Sequence, residues 1–250
     1  MIIDAHVHLQ GPGGSVQERT DRLLHFADKQ GIDKLVACLG ATLRVAPTAE
    51  ELREDNDYIL SAVAYRPDRI VGYCYCSPAH PEASVEEMNR TIAEGPLRGV
   101  KMWVCRHCDD PGSDPIATRA AELGVPILQH TWIKATGNMP TESRPEHMVN
   151  LALRHPQTQF IMAHSGGDWQ RGLRIIRHVP NIIADVCGGN PEQGQVEMAV
   201  KLLGAERVVW GSDASGRSFA SQLAKVVAAD ISDADRALIL AGNIARMIGL

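Results

Sequence analysis

The chain lacks any run of basic residues. Its 25 Lys and Arg against 30 Asp and Glu leave a formal net charge of −5. A protein that grips nucleic acid needs cations in clusters to displace counterions from phosphates, so that class is disfavoured. No apolar run approaches the ~20 residues that a membrane-spanning helix requires. The opening MIIDAHVH has neither a basic leader nor a long apolar stretch, so no secretion signal is expected and the compartment reads as cytoplasmic. Six cysteines in that setting read as reduced thiols. Four of them, Cys38, Cys76, Cys105 and Cys187, fall at or near the ends of apolar runs and read as small buried hydrophobes. Internal repeats, low-complexity tracts and linkers are absent. One domain over 1–250 is therefore expected, long enough to bury roughly 70–75% of its unfolded surface without staples. Self-association is left open.

What is present is alternation. Apolar strand-like runs recur near 2–7, 33–39, 70–76, 98–104, 126–130, 159–164, 181–187 and 207–212. Amphipathic segments separate them. Leu23, Phe26 and Ala27 keep helical spacing before Gly31, as do Trp169, Leu173 and Ile176, and Val196, Ala199, Val200 and Leu203 before Gly204. Ala237, Leu240, Ala241, Ile244 and Ile248 follow a capping-type Ser232. Eight strands alternating with helices imply a parallel sheet. Length favours closure into a (β/α)8 barrel over an open sheet, and no glycine fingerprint follows the first strand. GPGGS at 11–15 reads as a flexible loop over the barrel mouth rather than a phosphate loop. The longest loops, 39–48, 105–113 and 131–145, all follow strands, the end at which barrel active sites are built.

Side chains alternate faces along a strand, so Asp4, His6 and His8 share one face. His6 and His8 sit ~7 Å apart at Cα and can converge on one ion. The run PILQH ends in His130, FIMAH ends in His164, and VVWGSDAS carries Asp213. In a parallel barrel those strand ends meet at one mouth. A lone strand-end His is more often a hydrogen-bonded core residue. Five such groups are hard to explain as packing, because burying them unpartnered costs several kcal/mol or more. Imidazoles with a carboxylate make an ordinary nitrogen and oxygen site for zinc or a similar divalent ion. Lys101 has inward parity, with Val100, Met102 and Val104 suited to the helix side; Trp103 is read as lining the pocket. Arg44 and Arg106 follow strands and could hold a substrate carboxylate. Asp185 is placed to orient a ligand His. The CRHC run at 105–108 is weak as a metal motif.

DAHVH, His130, AHSGG, GSDAS and the terminal NIARMIGL together resemble the amidohydrolase superfamily, in the branch that includes aminocarboxymuconate semialdehyde decarboxylase and related metal-dependent hydrolases. The likeness runs from His6 to Asn243. It implies a (β/α)8 barrel, metal ligation by His6, His8, His130 and Asp213, and a catalytic His164 beside the ion, although in some relatives that His is itself a ligand. Zinc is the metal expected, one ion rather than two; some members bridge two ions with a carboxylated Lys at the position of Lys101. The leading expectation is hydrolysis. A metal-activated water attacks an amide, lactone or ester carbonyl, Asp213 relays the proton, and His164 orients the nucleophile. The alternative is metal-dependent decarboxylation of an unsaturated or aromatic carboxylate. A non-catalytic ligand-binding barrel is the remaining reading. The expected partner is a small molecule, with a carboxylate in view, and neither nucleic acid nor membrane.

Overall fold

A computed structural model describes residues 1–11 and 14–250. Pro12 and Gly13 of the expected mouth loop lie outside the described residues. The strands are β1 (Ile3–Val7), β2 (Lys34–Ala37), β3 (Ile70–Gly72), β4 (Cys74–Tyr75), β5 (Val100–Met102), β6 (Ile127–Gln129), β7 (Phe160–Met162), β8 (Ile182–Asp185) and β9 (Val208–Val209). The helices are α1 (Val16–Asp28), α2 (Ala49–Tyr65), α3 (Pro81–Met88), α4 (Ser113–Leu123), α5 (Pro145–Arg154), α6 (Trp169–Ile176), α7 (Gln195–Leu203), α8 (Phe219–Val227), α9 (Asp233–Ala237) and α10 (Asn243–Ile248).

Every strand pair is parallel, in the order β1-β2-β3 and β4-β5-β6-β7-β8-β9. β3 and β4 are two halves of one strand meeting at Tyr73. Its amide donates to Ala37 O at 2.9 Å, and the next amide, Cys74, donates to Gly99 O at 2.8 Å. The strand thus hands its pairing from one neighbour to the other. Closure comes from β1 against the β9 end: Ala5 N donates to Trp210 O at 3.0 Å, and Asp213 N donates to His6 O at 2.8 Å. Val7 and Ala214 form a parallel bridge. The result is the expected eight-stranded (β/α)8 barrel.

The alternation of side chains explains the two buried layers. Leu35, Val100, Met102, Ile127, Phe160, Met162, Ile182 and Val208 join the cluster shared with the helices. Val36, Tyr73, Leu128, Ile161, Ile183 and Val209 belong to a second cluster along the axis. The paired strand segments are shorter than the apolar runs. β7 stops at Met162 because His164 and Ser165 take left-handed backbone, φ 60° and 46°. Helix starts are set locally: Ser15 with Glu18 and Thr48 with Glu51 both form capping boxes. Among the described residues no helix is long and apolar enough to cross a membrane.

Candidate metal centre at the barrel mouth

His6 is fully buried. Its Nδ1 donates to Asp185 Oδ2 at 3.0 Å, which leaves Nε2 unprotonated as an acceptor. That Nε2 lies 3.0 Å from Lys101 Nζ and 3.9 Å from Asp213 Oδ1. His8 repeats the arrangement: Nδ1 donates to the Cys38 carbonyl at 3.1 Å, and Nε2 faces Asp213 Oδ1 at 3.3 Å. His130 is turned the other way. Its Nε2 donates to Glu142 Oε1 at 2.9 Å, and its Nδ1 lies 3.2 Å from His164 Nε2. The ring of His164 is 5.3 Å from that of His6 and 5.0 Å from that of His130. Each of three imidazoles therefore has one nitrogen anchored to an oxygen and the other directed inward. A metal-binding His is normally fixed in this way.

Two glycines make the packing feasible. A Cβ on Gly211 would stand 2.7 Å from His6 Cβ and 3.0 Å from Asp185 Oδ1. A Cβ on Gly188 would stand 2.4 Å from His164 Nδ1. Asp213, like His164, sits at φ 60°. Non-glycine residues adopt that region at a cost, and such strain concentrates at functional sites.

Electrostatics match the geometry. His8 Nε2 and Asp213 Oδ1 face each other at 3.3 Å, and either a proton or a bound cation between them satisfies both. Burial works against charge on His8, but Cys38 and Asp213 beside it outweigh that and raise its pKa to about 10. Burial likewise works to protonate Asp213, yet the hydrogen bond with His8 and the fields of His164 and His6 hold its carboxyl well below the usual range. Cys38 is pulled well below the ordinary thiol value against its burial, chiefly by His8 and Lys101. Burial, opposed by Asp213, pushes His164 well below the usual imidazole value. His130 falls to about 4, again through burial, and Glu142 is held at about 2 against its burial by His130 and Lys134.

The structure brings together His6, His8, His130, His164, Asp213 and Lys101, and it seats Asp185 on His6. Trp103 is half-buried against the axial cluster, the inward side. Arg44 and Arg106 are not brought to the cluster. Arg44 donates to Glu54 at 2.8 Å, to Asp55 at 3.2 Å and to the Glu51 carbonyl at 2.9 Å. Arg106 is exposed and pairs with Asp110 at 3.1 Å. Both guanidiniums are engaged by acids close in sequence. In the CRHC run, Cys105 Sγ meets Ser77 Oγ at 2.9 Å, while Cys108 is buried and its amide donates to Ser143. The two thiols thus go to different partners. His107, Asp109 and His147 gather nearby, but His147 Nδ1 already accepts the Arg144 amide at 3.2 Å.

Three residues at the centre escaped sequence reasoning. Glu142, 2% exposed, accepts from His130, from Lys134 Nζ at 2.7 Å and from the Met139 amide. Cys187 Sγ lies 3.2 Å from both His6 Nδ1 and His164 Nδ1 and donates to Asp185 at 2.7 Å, which is more than the filler role expected of it. Trp132 stacks on His130, with ring centres 6.0 Å apart, and leans on His164 at 4.6 Å. Glu142 and Trp132 lie in the 131–145 loop, where no periodicity marks which residue turns inward.

Comparisons with known proteins agree with this architecture. The chain is 24% identical over 235 residues to 2-amino-3-carboxymuconate-6-semialdehyde decarboxylase of Dictyostelium discoideum, across 78% of this chain. It spans 65% of that relative's length. 2,6-Dihydroxybenzoate decarboxylase from Rhizobium superposes with a TM-score of 0.79 at 19% identity, covering 99% of this chain and 98% of the other. A dihydroxybenzoic acid decarboxylase from Polaromonas sp. JS666, solved with manganese and 2-nitroresorcinol, gives 0.79 at 19% identity over 100% and 97%. These relatives correct the leading expectation. They bear decarboxylase names, so the hydrolytic reading gives way to its alternative. The amidohydrolase family model matches residues 3–250, and the chain belongs to that family.

Proposed function

We propose that the protein is a metal-dependent decarboxylase of a small unsaturated or aromatic carboxylate. The observation that carries the metal is the convergence of donor atoms: His6 Nε2 and His8 Nε2 both face Asp213 Oδ1, at 3.9 and 3.3 Å, with His130 Nδ1 3.2 Å from His164 Nε2. Such nitrogen and oxygen donors suit one divalent ion, zinc or the manganese seen in the Polaromonas structure. When bound, the ion supplies positive charge that draws in an anionic substrate and offsets charge built up as the carbon–carbon bond breaks.

The chain's own groups do the rest. Decarboxylation removes CO2 and places a proton on the carbon it leaves. Asp213, held ionised by its imidazole neighbours, takes up a proton from solvent water at its carboxylate and passes it to that carbon, replacing the CO2 that leaves. His164, kept neutral by burial, lies beside the reacting centre and donates a hydrogen bond to the developing charge. Lys101, 1% exposed and 3.0 Å from His6, adds a fixed positive charge at the floor. Trp132 offers a flat apolar wall for a planar substrate.

The test is CO2 release from a panel of hydroxybenzoates and unsaturated carboxylates by metal-loaded protein in D2O. One CO2 and one ring- or chain-bound deuterium per turnover support the proposal. Metal-loaded protein that releases none across the panel contradicts it.

A further inference from the structure

Outside the mouth, a cavity of about 470 Å³ lies between α1 and the segment that leads from Asp213 into α8. We propose that it is a second binding site, for an organic carboxylate with an apolar body. The size is that of a small-molecule pocket. Leu23, Phe26 and Phe219 give it an apolar wall; Leu23 and Phe219 are buried, whereas Phe26 remains 50% exposed. Arg22, Lys29 and Arg217 stand around it. Arg22, Phe26 and Lys29 are spaced i, i+4, i+7 and so share one face of α1.

The charge balance at this spot is unlike that of the chain. Acids outnumber bases overall, yet among the described residues no acidic side chain lines the cavity. The acids of α1 are engaged elsewhere: Glu18 in the Ser15 cap, Asp21 with the Tyr65 hydroxyl at 2.9 Å, Asp28 with Arg69 at 2.7 Å. Among the described residues, Arg22, Lys29 and Arg217 form no ion pair with a carboxylate; Lys29 lies 5.7 Å from the Phe26 ring and Arg217 donates to the Gly216 carbonyl. Apolar walls beneath unpaired cations fit an anion with an aromatic or aliphatic body. The site also reaches the metal centre through the chain. Gln10 lies two residues past His8, Ala214 and Ser215 follow Asp213, and the Arg217 amide donates to the Asp213 carbonyl at 3.1 Å. An occupant here therefore touches two of the segments that carry inward-facing groups, those of His8 and Asp213. The proposal stands on this pocket alone and is independent of the decarboxylase reading.

Photolabelling of the full-length protein with benzophenone-4-carboxylate locates the site directly. The expected result is labelling within residues 22–30 and 214–220, competed by 2-naphthoate but not by the uncharged 2-naphthamide. In an Arg22→Gln/Arg217→Gln variant the labelling at those peptides should fall at least about fivefold, the scale of two partly exposed charge pairs. Conservative Arg22→Lys should keep most of it. Labelling confined to mouth residues, equal competition by 2-naphthamide, or undiminished labelling of the double variant would each overturn the proposal. So would sedimentation showing a dimer that Phe26→Asp dissociates, since the face would then be occupied by a second copy.

Discussion

Glu142 accepts a hydrogen bond from Nε2 of His130 at 2.9 Å, and this single contact decides which ring nitrogen of His130 faces the centre. Replacing the carboxylate by an amide keeps the volume but removes the charge that holds both the imidazole and Lys134. Glu142→Gln should therefore weaken metal binding by ~10–100-fold, the usual cost of losing such a support. Competition against a chromophoric chelator measures it, and an unchanged affinity would show that Glu142 does not position the ligand.

His6 of β1 and His8, just past its end, should behave differently when removed. His8→Ala and His6→Ala both delete an inward lone pair, and each should lose metal on gel filtration. His6 is also the contact between Lys101 and Asp185, which are 1% and 0% exposed. Its loss takes a hydrogen-bond partner from each of these buried groups, at a cost of about 1–3 kcal/mol. Chemical denaturation in chelator should find His6→Ala much less stable than His8→Ala. Equal stabilities would argue that the buried charges are satisfied in some other way.

A methyl group on Gly211 has no room beside His6 Cβ and Asp185. Gly211→Ala should cost about 1–3 kcal/mol and, on the proposed function, lower metal affinity together, because it displaces the His6 side chain it clashes with. Calorimetry with parallel metal titration tests this; a variant that melts and binds like the parent would remove the clash from the account.

Acid should expose the neutral state of His130. Its folded pKa is about 4 against 6.5 in the unfolded chain. Between those values the unfolded chain binds a proton that the folded one does not. The contribution is therefore present above pH 6.5 and lost as pH falls toward 4, by up to about 3 kcal/mol. Glu142, held at about 2, begins to lose its own contribution only below about 4.5. The difference in stability between parent and His130→Gln, both in chelator, should shrink across pH 6.5–4. A constant difference over that range would contradict the buried neutral imidazole.

Period-two alternation made much of this visible beforehand. It placed His6 and His8 on the inward face of β1, Lys101 inward between Val100 and Met102, and Asp185 within reach of a ligand ring. Alternation carries no information once the chain leaves the strand. That is why Glu142 and Trp132 passed unnoticed, and why the left-handed backbone at His164 and Asp213 had no signal. Arg44 looked free because it follows a strand. The acids Glu51, Glu54 and Asp55 of the next helix already marked its partners. Cys187 was legible only as small and buried, since the residues that surround it come from β1, β7 and β8. The strand-three break at Tyr73 arises from a change of hydrogen-bond partner and leaves the apolar run 70–76 intact.

In the proposed function, these inward-facing groups share one divalent ion. Crystals grown with manganese and measured above its absorption edge test it without reference to any substrate. One anomalous peak enclosed by His6, His8, His130 and Asp213 is expected. A peak only at His107, Asp109 and His147, or none with the protein loaded, would contradict it.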